Sequence, residues 1–224
     1  MEDGNLMINV IYEDNHLLVV EKPINIPVQA DDSNDKDLLS MLKEYIKDKY
    51  KKPGNVYLGL VHRLDRPVGG IMVFAKTSKA AGRISDEIKN NTVNKTYYAV
   101  VCGKAKDKDH LEDYLLKDSK TNTTKVDKNG KLAILDYELV DYKDGYSLVK
   151  IHLKTGRSHQ IRVQFSSRNL PLYGDQRYNK NAKPGEQIAL FSMELSFVHP
   201  TTKEELSFKI SLPKKYPWNL FNVD

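Results

Sequence analysis

Cysteine is almost missing from the sequence, since Cys102 is the single one in 224 residues. One thiol cannot form an internal disulfide, and it cannot build a structural zinc site that needs several thiolates. Long apolar runs are missing as well, and the stretch 71–75 is far too short to cross a bilayer. Met1 is followed by Glu2 and Asp3 instead of a basic and then apolar segment. We therefore expect no secretory leader, no membrane association and a cytoplasmic location.

Common cofactor and nucleophile motifs are missing too. No G-x-G-x-x-G occurs, and the run 54–59 lacks the Lys and Ser/Thr of a Walker loop, so nucleotide hydrolysis has no support. Neither G-x-S-x-G nor H-E-x-x-H is found, which leaves hydrolase and zinc-protease functions without local support. His62 and Asp65 could in principle ligate a metal, but no third ligand is nominated nearby, and we expect no metal.

Positive charge is concentrated in one part of the chain. Lys and Arg total 35 against 30 acidic residues, for a net charge of +5. Residues 154–183 hold seven cations and one acid, Asp175, so the rest of the chain is close to neutral. Such a stretch fits either contacts with phosphates or a solvated surface. Charge alone therefore permits a nucleic-acid partner without requiring one.

The order of strand-like and helix-like segments predicts an α+β fold. Eight segments have the alternation or composition of strands, namely 6–12, 16–21, 71–76, 95–101, 133–140, 146–153, 189–197 and 206–212, with a short extended piece at 59–61. The first two segments are predicted to form a hairpin. No repeat, heptad pattern or Gly/Ser linker interrupts the chain. We expect residues 1–224 to form one domain with a mixed, mostly antiparallel sheet and no preceding S4-like domain.

Three helices are predicted between these strands. The first spans apolar residues 38–46 after Ser33 and Asp35, and the second follows Thr77, which has the character of an N-cap. Ser158 is placed to cap the third, which carries Ile161 and Phe165 at a spacing of four. Between Leu116 and Leu132 only Val126 is strongly apolar, and this stretch is predicted to be an exposed, mobile connection.

The turn 62–70 concentrates polar residues and residues with special backbone preferences between two apolar segments. Pro67 restricts the residue before it to extended conformations, while Gly69 and Gly70 allow a close backbone approach. Asp65 should therefore lie on a tight loop directly before a strand, with its carboxylate presented to a cleft. The alternative is an ordinary surface cluster of Asp65 with Arg63 or Arg66.

A second polar turn lies inside the basic stretch. Residues 153–162 combine a strand end, a glycine and a helix start, with Arg162 one turn beyond Ser158 and three residues beyond His159. One polar face of this helix could point at a partner while Ile161 and Phe165 face the core. A phosphate-binding or merely solvated helix start would have the same pattern.

Together these two turns resemble a known family. The run 62–77, HRLDRPVGGIMVFAKT, is similar to the signature of RluA-type RNA pseudouridine synthases. Further motifs match in the family's order, namely K-x-Y-x-A at 95–99, T-G-R-[ST]-H-Q-I-R at 155–162, P-x-x-G-D at 171–175 and H-P-x-T at 199–202. The opening, 11–23, also looks like the family's D-x-x-L-x-V-x-K-P start, with one additional residue before the lysine. Ordered matches at this number of places make coincidence negligible. The resemblance covers residues from about 11 to 212.

The resemblance implies a pseudouridine synthase fold and a set of site residues. Asp65 would be the catalytic carboxylate, Arg162 would hold it ionised, and Tyr97 would stack on the uracil and accept a proton near carbon 5. Arg63 would fill the space left by the flipped-out base. The remaining candidates are expected to bind RNA, namely His62, Lys154, Arg157, His159, Arg168 and Arg177. The reaction would need no external cofactor, and we expect rRNA or tRNA as partner and a monomer.

One departure from the family pattern and two alternative functions must be stated. Val68 and Gly69 stand where the family most often has Thr and Ser, which puts hydroxyl contacts near the loop in doubt. A non-catalytic RNA-binding protein would bind RNA without producing a modified base. A glycosidase would need a second acid paired with Asp65 across the scissile bond, and no nearby motif proposes one.

Overall fold

A computed structural model describes residues 8–223 of the chain. By their contacts the residues divide into two compact units. The first unit contains residues 8–93 and 196–208, and the second contains residues 94–195 and 209–223. Within the described residues, no helix combines the length and the apolar character needed to cross a membrane.

The first unit begins with the predicted hairpin. Strands β1 (Asn9–Glu13) and β2 (Leu17–Lys22) pair antiparallel, and residues 6–7 of the predicted first strand lie outside the described residues. The four apolar residues that open β2 are fully buried, as expected for a strand covered on both faces. Further along the chain, β3 (Gly59–Leu60) and β4 (Gly69–Ala75) follow, and β4 pairs antiparallel with both β2 and β3.

Both helices of the first unit begin at side-chain caps. Helix α1 (Leu38–Lys49) starts after Asp37, whose carboxylate accepts the Ser40 N–H at 3.0 Å. Helix α2 (Ser78–Lys89) starts after Thr77, whose hydroxyl accepts the Ala80 N–H at 3.1 Å. These bonds satisfy donors that the first helical turn leaves unpaired. The predicted cap at Thr77 is confirmed.

A polar cluster around Glu13 ties β1 to α1 and to the residue after β4. The Glu13 carboxylate accepts hydrogen bonds from the hydroxyls of Tyr45 and Tyr50, at 2.9 and 2.8 Å. The ammonium groups of Lys49 and Lys76 lie 2.7 and 2.9 Å from it. Although burial alone would raise the pKa of Glu13, these four partners lower it to about 2.

The second unit is built on antiparallel strands. In chain order these are β5 (Asn94–Cys102), β6 (Lys108–Asp118), β7 (Thr123–Val126), β8 (Lys131–Lys143), β9 (Tyr146–Leu153) and β10 (Leu190–Val198). Their order across the sheet is β10-β5-β9-β8-β6-β7. Asp144 and Gly145, at φ 53° and 82°, form the tight turn that joins β8 to β9. The end of β10, residues 196–198, belongs to the first unit, as does nearly all of β11 (Glu205–Lys209), which pairs with β10.

Side-chain alternation places helix α3 (Gln160–Ser166) against one face of this sheet. Tyr97 on β5 lies opposite Ile151 on β9, which in turn lies opposite Tyr137 on β8. Residues directly opposite each other in antiparallel strands share a face. The ring of Phe165 on α3 packs on Tyr137 at a centroid distance of 5.0 Å. Tyr97 and α3 therefore lie on the same side of the sheet.

Two sequence-based predictions are wrong here. Residues 116–132 are not an irregular connection, because they contain the end of β6, all of β7 and the start of β8. The strand β7 forms through main-chain pairing with β6, and only its Thr124 is buried, so the apolar pattern does not reveal it. Ser158 does not cap α3, which begins after His159 without a side-chain cap.

Candidate active site

The Asp65 loop joins β3 to β4 in the first unit. Asp65 is partly buried, and its carbonyl accepts the Val68 N–H at 2.9 Å, which closes a turn immediately before β4. Val68 itself is buried at 2% exposure. The predicted tight loop directly before a strand is therefore confirmed.

Lys22 fixes the conformation of this loop. Its side chain is fully buried, and its Nζ donates hydrogen bonds to the carbonyl oxygens of Pro23 at 2.9 Å, Arg66 at 3.0 Å and Val68 at 2.8 Å. Three acceptors match the three protons of an ammonium group. Burial lowers the pKa of Lys22 to about 7, and the charge of nearby Asp65 opposes this shift. Sequence reasoning missed this role, although the lysine stands in the quoted K-P motif.

The other polar residues of the Asp65 loop have different surroundings. The Nε2 atom of His62 accepts the backbone N–H of Val73 on β4 at 3.0 Å, while Arg63 is exposed. The Arg66 guanidinium pairs with an acidic segment that precedes α1. It donates to the Ser33 hydroxyl at 2.9 Å and forms ion pairs with the carboxylates of Asp31 and Asp35.

Arg162 on α3 forms a bidentate ion pair with Asp175 in the second unit. Its Nε and Nη2 atoms lie 2.9 and 2.7 Å from the two Asp175 oxygens, and both side chains are almost fully buried. Asp175 also accepts the backbone N–H groups of Arg177 and Tyr178. Sequence reasoning counted Asp175 only as the one acid of the basic stretch. Its place in the P-x-x-G-D motif was the available signal.

Gly174 sets the position of Asp175. Its φ is +67°, and a Cβ built on it would lie 2.3 Å from the carbonyl oxygen of Gln187. Any other residue would therefore collide with the main chain as well as adopt a strained conformation. The glycine of the motif is required so that the following carboxylate reaches Arg162.

Tyr178 links α3 to strand β7. Its ring lies 5.1 Å from the Arg162 guanidinium carbon, a distance at which a cation attracts an aromatic face. Its hydroxyl accepts the Thr124 N–H at 2.9 Å and lies 2.6 Å from Nδ1 of His159, to which it can donate its own proton. His159 is buried at 8% exposure and adopts a left-handed conformation with φ 51°. Burial raises the pKa of Tyr178.

Gln160 organises the start of α3 in place of the predicted serine cap. Its Oε1 atom accepts the Thr155 hydroxyl at 2.8 Å and the Arg157 N–H at 3.0 Å. Its Nε2 atom donates to the carbonyl of Ile134 on β8 at 3.1 Å. The predicted polar face of α3 is not exposed, since all residues from Gln160 to Phe165 are buried.

The remaining RNA-binding candidates have partners inside the second unit. Lys154 lies 3.6 Å from Asp136, and Arg168 lies 2.8 Å from Asp113. The exposed Arg157 donates through Nε to the Leu132 carbonyl at 2.8 Å. Arg177 donates to the carbonyls of Thr121 and Asn122, in the turn between β6 and β7. These protein partners therefore fix the positions of the four cations in the ligand-free protein.

The described residues contain no group of three or more His, Cys, Asp or Glu side chains that could hold a metal ion. Of the three predicted catalytic residues, Tyr97 and Arg162 belong to the second unit and Asp65 to the first. Tyr97 is 7% exposed on the sheet face that α3 covers.

The chain belongs to the RNA pseudouridylate synthase family, which it matches over residues 16–167. It is an isomerase that converts uridine to pseudouridine in RNA. Among curated relatives, a ribosomal large subunit pseudouridine synthase D of Zymomonas mobilis subsp. mobilis is 30% identical over 95% of this chain and 72% of its own length. An uncharacterized RNA pseudouridine synthase of Aquifex aeolicus is 32% identical, with the same two coverages.

Solved structures of other proteins share the fold of this chain. The human RNA pseudouridylate synthase domain containing 4 superposes with a TM-score of 0.78 at 20% identity, over 92% of this chain and 89% of that one. The human RNA pseudouridylate synthase domain containing 1 gives 0.75 at 24% identity, over 94% and 86%. The predicted family and the predicted α+β fold with a mostly antiparallel sheet are both confirmed.

Proposed function

We propose that the protein forms pseudouridine in ribosomal RNA and that Asp65 is the residue on which the chemistry depends. The observation that carries this proposal is the Asp65 loop, whose main chain is fixed by the turn at Asp65 and by the hydrogen bonds from Lys22 to loop carbonyls, which we call the Lys22 clamp. The ribosomal substrate is proposed because relatives such as the Zymomonas protein are named ribosomal large subunit enzymes. Transfer RNA is the other substrate to test.

The proposed reaction breaks the bond between ribose carbon 1 and uracil nitrogen 1 and then joins the same ribose carbon to uracil carbon 5. Asp65 acts either as a nucleophile or as a base at the sugar, and in both cases it must be ionised. We assign to Arg162 the task of keeping it ionised, supported by the rigid pairing of Arg162 with Asp175. Tyr97 is assigned to the uracil ring and to the proton at carbon 5.

The target base must leave its stack to be reached, which costs a few kcal/mol. We propose that Arg63 fills the space that the base vacates, because this side chain is exposed on the Asp65 loop. His62, Lys154, Arg157, His159, Arg168 and Arg177 remain proposed RNA contacts. Of these, His159 is mostly buried and is the one expected to act through Tyr178. A monomer in the cytoplasm is part of the same proposal.

Replacing Asp65 tests the proposal directly. Pseudouridines are mapped across ribosomal and transfer RNA from cells that lack the gene and carry wild-type, Asp65→Asn or Asp32→Asn protein. Asp32 is an exposed carboxylate of the same unit and serves as the matched control. We expect the wild type and Asp32→Asn to restore specific ribosomal sites, and Asp65→Asn to restore none while it binds RNA within a few fold.

Three outcomes would contradict parts of the proposal. Restoration by Asp65→Asn would remove Asp65 from the chemistry. Restoration of transfer RNA sites alone would change the substrate. RNA binding by the wild type with no site restored in either RNA would favour a non-catalytic RNA-binding protein.

A further inference from the structure

Lys95, in the second unit, is a lysine whose ammonium group has no partner among residues 8–223. It lies on β5, opposite Leu153 of β9, and two residues before Tyr97. Side chains two positions apart in a strand share a face, with their Cα atoms roughly 7 Å apart. Lys95 and Tyr97 therefore lie side by side on the face of the sheet that α3 covers.

Within residues 8–223, the Lys95 ammonium group has neither an ion pair nor a hydrogen bond. The side chain is nevertheless partly buried, and burial lowers the pKa of Lys95. An unpaired cation withdrawn from water destabilises the free protein. Such a residue is better explained by a ligand that supplies the missing negative charge than by a contribution to folding.

The surroundings of Lys95 make it differ from the other cations of this region. Each of those cations has a carboxylate partner. Arg162 pairs with Asp175, Arg168 pairs with Asp113, and Lys154 lies near Asp136. A ligand phosphate must compete with a carboxylate at each of these positions. At Lys95 no carboxylate competes, so a phosphate there gains the full charge-assisted interaction.

The Lys95 ammonium group lies beside the loop that precedes α3. A Cβ built on Gly156 would be 3.7 Å from Nζ, which places the ammonium group against the T-G-R part of the T-G-R-S-H-Q-I-R motif. Gly156 leaves this side of Nζ open. The Lys95 side chain thus has two neighbours, Tyr97 on the same strand and the turn at Gly156.

We propose that Lys95 binds the RNA phosphate that flanks the target uridine, next to the base held by Tyr97. Phosphates are the anionic groups of RNA, and a single unpaired lysine recognises a phosphate as a point charge. The inference rests on the proposed function, because it uses the role of Tyr97. Lys95 contributes to binding the nucleotide and not to the bond-breaking step.

The test measures binding of an in vitro transcribed large-subunit ribosomal RNA over a series of KCl concentrations. We compare wild type, Lys95→Met, Lys95→Arg and the control Lys150→Met. Lys150 lies on β9 opposite Tyr98, so it occupies the other face of the same sheet. For Lys95→Met we expect about tenfold weaker binding at low salt and a salt slope smaller by about 0.7, the value for one lost phosphate contact on a single strand.

Lys95→Arg keeps the charge and is expected to retain most of the wild-type slope, and Lys150→Met is expected to match the wild type. In steady-state assays Lys95→Met should raise KM by about tenfold and leave kcat within about twofold. Thermal unfolding of Lys95→Met should occur at or above the wild-type temperature, because the substitution removes a partly buried, unpaired charge.

An unchanged salt slope in Lys95→Met would overturn the phosphate assignment, as would a fall in kcat with KM unaltered. Absence of pseudouridine with the wild-type protein would instead overturn the proposed function. The salt slope is read from binding alone, so the two failures are distinguishable.

Discussion

The Asp65 loop and the Arg162 site hold their charged residues by different means. The loop is fixed by one buried lysine that bonds to main-chain carbonyls of Pro23, Arg66 and Val68. Arg162 is fixed by side chains, namely Asp175 and the ring of Tyr178. Hydrogen bonds to main-chain carbonyls remain possible whatever side chains the loop carries. Bonds between side chains are lost when any one of those side chains is replaced.

This difference accounts for one departure from the family pattern. Val68 stands where the family most often has Thr, yet the Val68 carbonyl still accepts its bond from Lys22 at 2.8 Å. The clamp is therefore kept when the hydroxyl is absent. Asp175 in the second unit cannot be replaced in the same way, because each of its two carboxylate oxygens bonds to Arg162.

Removing the clamp should have the largest effect on stability. Lys22→Met removes the fully buried ammonium group and leaves three carbonyl oxygens without their donor, and we expect the free energy of unfolding to fall by about 4 kcal/mol. Urea unfolding followed by circular dichroism measures this. The exposed Lys36, paired with Glu44 at the surface, provides the control, and Lys36→Met should stay within about 0.5 kcal/mol. Equal losses of unfolding free energy in Lys22→Met and Lys36→Met would show that the Lys22 hydrogen bonds do not stabilise the fold.

Breaking the side-chain network should come second. Asp175→Asn removes the charge that compensates buried Arg162 but keeps one acceptor oxygen, and we expect a loss of about 3 kcal/mol. Asp113→Asn, which affects the more exposed Arg168 pair, should cost about 1 kcal/mol. The same urea titration compares the two. A larger loss for Asp113→Asn would show that burial does not set the strength of these pairs.

The hydrogen bonds and ion pairs of Glu13 in the first unit should contribute less to stability than the pair of Arg162 with Asp175, and their contribution should disappear in acid. The folded-state pKa of Glu13 is about 2, below its usual value of 4.5, so its stabilisation is present above pH 4.5 and is lost as the pH falls toward 2. We expect Glu13→Gln to lower the free energy of unfolding by roughly 2 kcal/mol at pH 6. The difference from wild type should shrink as urea titrations approach pH 2, and a constant difference would contradict the assignment.

Local rules predicted the parts of the molecule that local interactions determine. The cap at Thr77 and the turn that carries Asp65 depend on residues within four positions of one another. The position of Asp65 before β4 could therefore be predicted from Pro67 and the two glycines. The family motifs added the identity of the candidate site residues.

Other parts depend on contacts between residues distant in sequence. Lys22 reaches carbonyls 44 and 46 residues away, and Tyr178 bonds to Thr124 across 54 residues. Strand β7 forms because β6 offers it main-chain partners, and its own polar residues carry little apolar signal. Gln160 takes the place expected for Ser158 because Thr155 and the Ile134 carbonyl lie within its reach.

The crowding at Gly174 limits how this enzyme can vary. Because the carbonyl of Gln187 occupies the place where any side chain would begin, even alanine must displace the chain on which Asp175 sits. Saturation mutagenesis selected for activity should return glycine alone at this position while Asn181, on the surface nearby, accepts many residues. The most restricted position near Arg162 is thus one that has no side chain at all.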